Sequence, residues 1–265
     1  MLKGIILAGG TGSRLSPLTV ITNKHLLPIY DRPMISFAVQ AVVEAGVTEL
    51  MIVTGGTHAG EFVRLLGSGH DHGVDRLCYA YQERPGGIAH ALALAEQFAD
   101  GDQVVVMLAD NIFEYSIAPL IENAHRNPRR ARLLLAELDD ETHLRHLGVP
   151  AFAGDRIVRI VEKPQDPPSR YAATGIYVYD STVFDIIRTL VPSQRGELEI
   201  TDVNNHYIRQ GALDFDVAEG WWGDAGESID AYYRVNDFVR ESGANKAVPR
   251  RAATAAASLV ARTKS

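Results

Sequence analysis

The chain has 265 residues, 46% hydrophobic and 22% charged, enough to bury a substantial core in one large domain or two small ones. Its net charge of −7 argues against general nucleic-acid binding, which wants a broad basic surface, but leaves room for a small anionic ligand held by a few converging cations. The single cysteine, Cys78, excludes an intrachain disulfide and a cysteine-built zinc site, and no apolar run reaches the ~18 residues of a membrane span.

In chain order, Lys3–Ala8 reads as a strand running straight into a glycine-rich loop, with no leader pattern before it, so a cytoplasmic enzyme is the expected class. Met34, Phe37, Ala38, Ala41, Val42 and Ala45 fall at helical spacing, and Gly46 stops that helix. Strand patterns follow at Glu49–Thr54, Leu77–Tyr81, Gln103–Ala109 and Arg132–Leu138, with helical patterns at Glu61–Leu66 and Ile88–Phe98 between them. This alternation predicts an α/β fold: a Rossmann-like, mostly parallel sheet with helices on both faces. Arg156–Val161 and Gly175–Tyr179 predict a smaller, partly antiparallel region, followed by helices at Val183–Leu190, Thr201–Arg209 and Ser228–Val239. The domain is expected to span 1–241. Residues 242–265, with eight alanines, five Lys or Arg and no acidic residue, read as a flexible tail.

The opening loop excludes two common nucleotide sites. A P-loop ends Gly-Lys-Ser/Thr, whereas this loop ends Gly12-Ser13-Arg14. A dinucleotide fingerprint needs a third glycine and a following helix, and Pro17, Pro28 and Pro33 forbid a long helix here, which removes a nicotinamide oxidoreductase. The loop keeps phosphate-binding physics all the same. Its glycines let backbone N–H groups approach an anion, Arg14 offers a rigid fork of donors, and Lys24 a mobile charge. Read alone, it is also compatible with a plain surface turn. Asp110 alone reads as a helix cap, though its place at the carboxyl end of a parallel strand raises the ligand reading. The spacing of His25, His58 and His90 matches no zinc pattern.

Seven motifs then agree in order: LAGGTGSRLSPLT with NKHLLPI, QERPGGIAHAL, LADNIF, Glu162-Lys163-Pro164, ATGIYVYD, RGELEITDVNN and WWGDAG. The set resembles the sugar-1-phosphate nucleotidyltransferases over about residues 2–240, and is most similar to the short form of the branch that joins dTTP to glucose 1-phosphate. The resemblance implies that Leu7, Ala8, Gly9, Gly10 and Gly12 line the nucleotide, with Arg14 and Lys24 on its triphosphate. It implies that Gln82 and Gly87 read the base edge, and that Asp110 and Asp224 hold Mg²⁺. Asn111, Gly148, Glu162, Lys163 and Ala173 would form the sugar-phosphate side, with Lys163 on the phosphate and so among the catalytic cations beside Arg14 and Lys24. Partners would be dTTP, or UTP as the nearest rival, and a hexose 1-phosphate, with no nucleic acid and no membrane; a homo-oligomer stays open.

The sequence also departs from that pattern. Ala109 and Leu147 replace a usual glycine and a usual aromatic, and they are the only support for a catalytically weak sugar-nucleotide-binding protein. His90 replaces a usual glutamine, and Ala225 and Glu227 alter a D-T-G-T stretch. None of these changes removes a charge that the chemistry needs.

Overall fold

The protein is described by a computed structural model over residues 1–249. Its strands are Leu2–Ala8 (β1), Pro28–Ile29 (β2), Arg32–Pro33 (β3), Glu49–Gly55 (β4), Arg76–Gln82 (β5), Gln103–Leu108 (β6), Asn111–Phe113 (β7), Ala131–Glu137 (β8), Gly148–Ala153 (β9), Arg156–Glu162 (β10), Tyr171–Tyr179 (β11), Leu213–Val217 (β12) and Trp222–Asp224 (β13). The helices are Met34–Glu44 (α1), Ala59–Leu66 (α2), Ile88–Ala93 (α3), Glu96–Ala99 (α4), Ala118–Arg126 (α5), Glu141–Leu144 (α6), Val183–Thr189 (α7), Ile200–Arg209 (α8) and Ile229–Ser242 (α9).

Nine strands form one sheet, in the order β10-β9-β11-β6-β1-β4-β5, with β8 on β11 and β12 on β8. The half β6-β1-β4-β5 is parallel throughout, while β11 runs antiparallel to β6, β8 and β9. All seven residues of β1 are buried, as befits a strand covered on both faces. Successive side chains feed opposite cores. Ile6, Ile52, Val105 and Met107 pack with α1, α2 and α5, whereas Ile5, Val53, Val104 and Val106 pack with α3, α7 and α8. The chain steps from β1 outward to β4 and β5, then returns to place β6 on the other side of β1. Strand order therefore reverses between β1 and β6, the kind of crevice where open α/β sheets bind ligands.

Two expectations are refined. The helix read over Ile88–Phe98 is two short helices, because Leu94 and Ala95 close tight turns onto Ala91 O and Leu92 O. The start of the expected tail is docked: α9 runs through Ser242, Asn245 Nδ2 donates to Phe37 O at 3.0 Å, and Lys246 Nζ pairs with Glu114 Oε1 at 2.7 Å. The remainder, 250–265, lies outside the described residues.

Candidate active site

The site lies where β1 and β6 end, and packing dictates its glycines. A methyl on Gly9 would stand 2.9 Å from Gln82 Oε1, and one on Gly10 3.0 Å from Lys24 Cε. Gly12 holds φ at +69°, a left-handed conformation that favours glycine, and a methyl there would meet Thr19 and Lys24. Leu7 and Ala8 bring the strand up to this loop, where Leu7 O accepts from Ala109 N at 3.0 Å and so ties β1 to the end of β6. Arg14 is exposed on the 3-10 turn Ser13–Leu15, which the buried Leu15 anchors. Its charge is felt by Asp224 and Glu227 across the cleft.

Asp110 follows β6 and is buried. Lys24 Nζ donates to its Oδ2, and Asn111 Nδ2 to its Oδ1 at 3.1 Å. Burial alone would push this carboxyl up, but the Lys24 ammonium and these two hydrogen bonds outweigh it and hold Asp110 well below the usual carboxylate range. His25 is itself driven down to about 3 by burial and by Lys24, so it is neutral. Pairing of β13 with β7 sets Asp224 opposite Asn111, beside Asp110, and Ala225 N donates to Asp110 O at 2.9 Å. Burial and the Asp110 charge push Asp224 up to about 7. Gly226 completes the corner, since a methyl there would stand 2.4 Å from Asp110 Oδ2 and 2.6 Å from Lys24 Nζ.

Two converging carboxylates that repel one another, with Lys24 offsetting only part of their charge, fit a divalent cation. Among the described residues no group of three or more His, Cys, Asp or Glu gathers to hold a metal, so such a cation would keep most of its water, as a hard ion like Mg²⁺ does.

Of the two residues expected to meet the base, Gln82 ends β5 and is buried, and its Nε2 lies 3.3 Å from Gly87 O. Gly87 holds φ at +90°, and a methyl there would run into Leu198 O at 2.4 Å. Among the residues expected at the sugar phosphate, Ala173 of β11 pairs with Gly148 of β9, and Glu162 pairs with Gly148 from β10. A methyl on Gly148 would stand 3.6 Å from Glu162 Oε2, which accepts from Thr201 Oγ1 at 2.7 Å. Lys163 holds a positive φ of +47° and directs Nζ to 3.8 Å from Glu162 Oε1. The predicted residues thus fall in three groups at the carboxyl end of the parallel strands. Asn111 is buried; its Oδ1 accepts from Gly175 N and Trp222 Nε1, both at 2.8 Å, and its Nδ2 donates to Asp110 Oδ1 at 3.1 Å.

The family model described as Nucleotidyl transferase matches residues 3–242. A glucose-1-phosphate thymidylyltransferase of Actinoplanes sp. is 42% identical over 243 residues, covering 90% of this chain and 78% of that relative. This chain belongs to the nucleotidyl transferase family. A Bacillus anthracis protein assigned as a glucose-1-phosphate thymidylyltransferase, crystallised with sucrose, superposes with a TM-score of 0.86 at 47% identity, covering 91% of this chain and 96% of that one. A UDP-glucose pyrophosphorylase in complex with UDP-glucose gives a TM-score of 0.76 at 25% identity, covering 91% and 99%.

In this nucleotidyl transferase two of the departures from the family pattern, Ala109 and Leu147, are taken up by packing. The Ala109 methyl is fully buried in the core with Ile6 and Phe113, and Leu147 packs against Leu144, Val149 and Ala172. Sequence reading missed four participants. Arg195 lies 3.8 Å from Glu162 Oε1 and 2.9 Å from Glu199 Oε1, a further cation beside Glu162, and Thr201 Oγ1 donates to Glu162 Oε2. Both stand in the quoted RGELEITDVNN, the one signal available. His143 Nε2 meets Glu227 Oε2 at 2.8 Å and its ring stacks 6.1 Å from Trp222, tying the segment before Gly148 to the one after Asp224. No spacing in the sequence links residues so far apart.

Proposed function

We propose that this nucleotidyl transferase forms dTDP-glucose and pyrophosphate from dTTP and glucose 1-phosphate. The observation that carries the reading is the corner where Gly10, Lys24, Asp110, Asp224 and Gly226 meet, at the switch point between β1 and β6, in a chain 42% identical to a thymidylyltransferase. A sugar phosphate is already an oxyanion near neutral pH and needs no general base. The obstacle is bringing two strongly anionic groups together in line, so catalysis is positioning and charge neutralisation. Arg14 and Lys24 would bear on the triphosphate and Lys163 on the sugar phosphate, while Glu162, fixed by Thr201, would take sugar hydroxyls. Mg²⁺ held by Asp110 and Asp224 would neutralise charge developing on the leaving pyrophosphate. Gln82 and Gly87 would read the imide edge shared by thymine and uracil.

UTP is the second reading, and the likeness to a UDP-glucose pyrophosphorylase favours it. The thymine methyl is worth only about 0.8 kcal/mol when buried, so dTTP and UTP should both be accepted. Pyrophosphate release in a competition of all nucleoside triphosphates at equal concentration tests the reading. It predicts dTTP and UTP far ahead of CTP, ATP and GTP; a lead for CTP or GTP would refute it.

A further inference from the structure

The Gln82 carboxamide is fixed in one orientation. Its Nε2 lies 2.9 Å from His90 Nδ1 and 3.3 Å from Gly87 O. A backbone carbonyl can only accept, so the amino end must face this corner, and His90 Nδ1 must then accept as well. Both amide hydrogens are thereby spent, and the oxygen turns the other way, toward Gly9 of the glycine loop. His90 is placed by α3, whose helical spacing returns residue 90 over residue 87. Its ring lies directly against Gly86, where a methyl would stand 2.7 Å from Nδ1. Gly86 O in turn accepts from Leu198 N at 2.8 Å, which anchors the loop.

We propose that His90 is a positioning residue for base choice: it holds the Gln82 oxygen toward the nucleotide, so that the site presents an acceptor to the ring nitrogen of the base. The proposal rests on the reading of Gln82 as the base contact. The N3–H of thymine or uracil donates to that oxygen. Cytosine carries a lone pair at the same ring position, which the oxygen repels. An amide turned over would present N–H instead and reverse the preference. Among the described residues nothing accepts the Gly87 N–H, which leaves it for a base carbonyl. His90 thus supplies here, through a ring nitrogen, an acceptor that a glutamine would supply through its side-chain oxygen.

The test compares the parent with His90→Leu, which removes the acceptor, and His90→Gln, which replaces it, in initial rates with dTTP, UTP and CTP. His90→Leu should raise the KM for dTTP about three- to tenfold with kcat little changed, and narrow the preference for dTTP over CTP by a similar factor, the size of one lost hydrogen bond. His90→Gln should restore both, and neither variant should move the KM for glucose 1-phosphate. An unchanged preference in His90→Leu, or a His90→Gln enzyme as impaired as His90→Leu, overturns the proposal. Should His90→Leu fail to fold, His90→Lys against His90→Gln makes the same comparison, because lysine offers Gln82 only donors. A parent that does not prefer dTTP or UTP over CTP would remove the Gln82 reading itself. A parent with that preference and a His90→Leu variant that keeps it would remove only the role of His90.

Discussion

At the residue scale, the site is defined by charges that conflict. Lys24 is buried against Asp110, so its removal strands a carboxylate beside a second one. Breaking one partner of a buried pair costs about 3–5 kcal/mol. Lys24→Met should therefore lower stability by that order as well as abolish most turnover, and adding Asp110→Asn should recover stability but not activity. Urea unfolding of the three proteins checks this; a Lys24→Met protein as stable as the parent would contradict it. Asp224 has the opposite sign. Its folded-state pKa is raised, to about 7, above the ordinary 3.8, so the folded state is penalised as pH climbs through that interval and fully so beyond it. With metal chelated, Asp224→Asn should therefore have a higher Tm than the parent at pH 8 and a similar Tm near pH 4, while losing most turnover. A lower Tm at pH 8 would mean that the carboxylate is stabilised by something other than a cation.

At the element scale, three-residue strands do the placing. The β7–β13 pairing sets Asp224 opposite Asn111, and α9 braces it from behind. Gly223 is where the two meet, since a methyl there would stand 2.4 Å from Val235 Cγ2 of α9. Gly223→Ala should cost about 1–3 kcal/mol by overpacking, and Val235→Ala combined with it should recover much of that. Thermal unfolding of both decides it; a neutral Gly223→Ala would show that α9 does not press on β13. The long parallel strands were legible because continuous Val, Ile and Leu runs mark a sheet buried on both faces, as in Gln103–Leu108. The two short strands were not, because three residues carry no period and exist only through their partners. The sequence reads the glycine loop as an anion cradle, but the reason for Gly226, its closeness to Asp110 and Lys24, depends on residues 116 and 202 positions before it.

At the scale of the whole molecule, the His143–Glu227 pair joins the segment before Gly148 to the one after Asp224. The Glu227 carboxylate, 2.8 Å from Nε2, raises the His143 pKa against the effect of burial, with Asp224 adding to the rise and Arg234 opposing it. Glu227 is held down, as His143 outweighs burial there. The histidine contribution is complete below its ordinary value of 6.5 and is lost as pH rises through the higher folded value. The glutamate contribution is present above its ordinary 4.5 and is lost as pH falls through the depressed value. His143→Gln should therefore lower Tm by about 2–4 °C near pH 6, for a pair worth about 1 kcal/mol, and by less at pH 9. An equal loss at both pH values would show that the contact is packing on Trp222 and not an ion pair.

Transfer of a nucleotidyl group to a sugar phosphate at the Asp110–Asp224 corner is tested by incubating the full chain with dTTP, glucose 1-phosphate and Mg²⁺ and quantifying dTDP-glucose and pyrophosphate together, beside Asp110→Asn and Asp224→Asn. The two products should form in equal amounts with the parent, and almost none with either variant. Neither product from the parent, or undiminished product from a variant, would contradict that transfer.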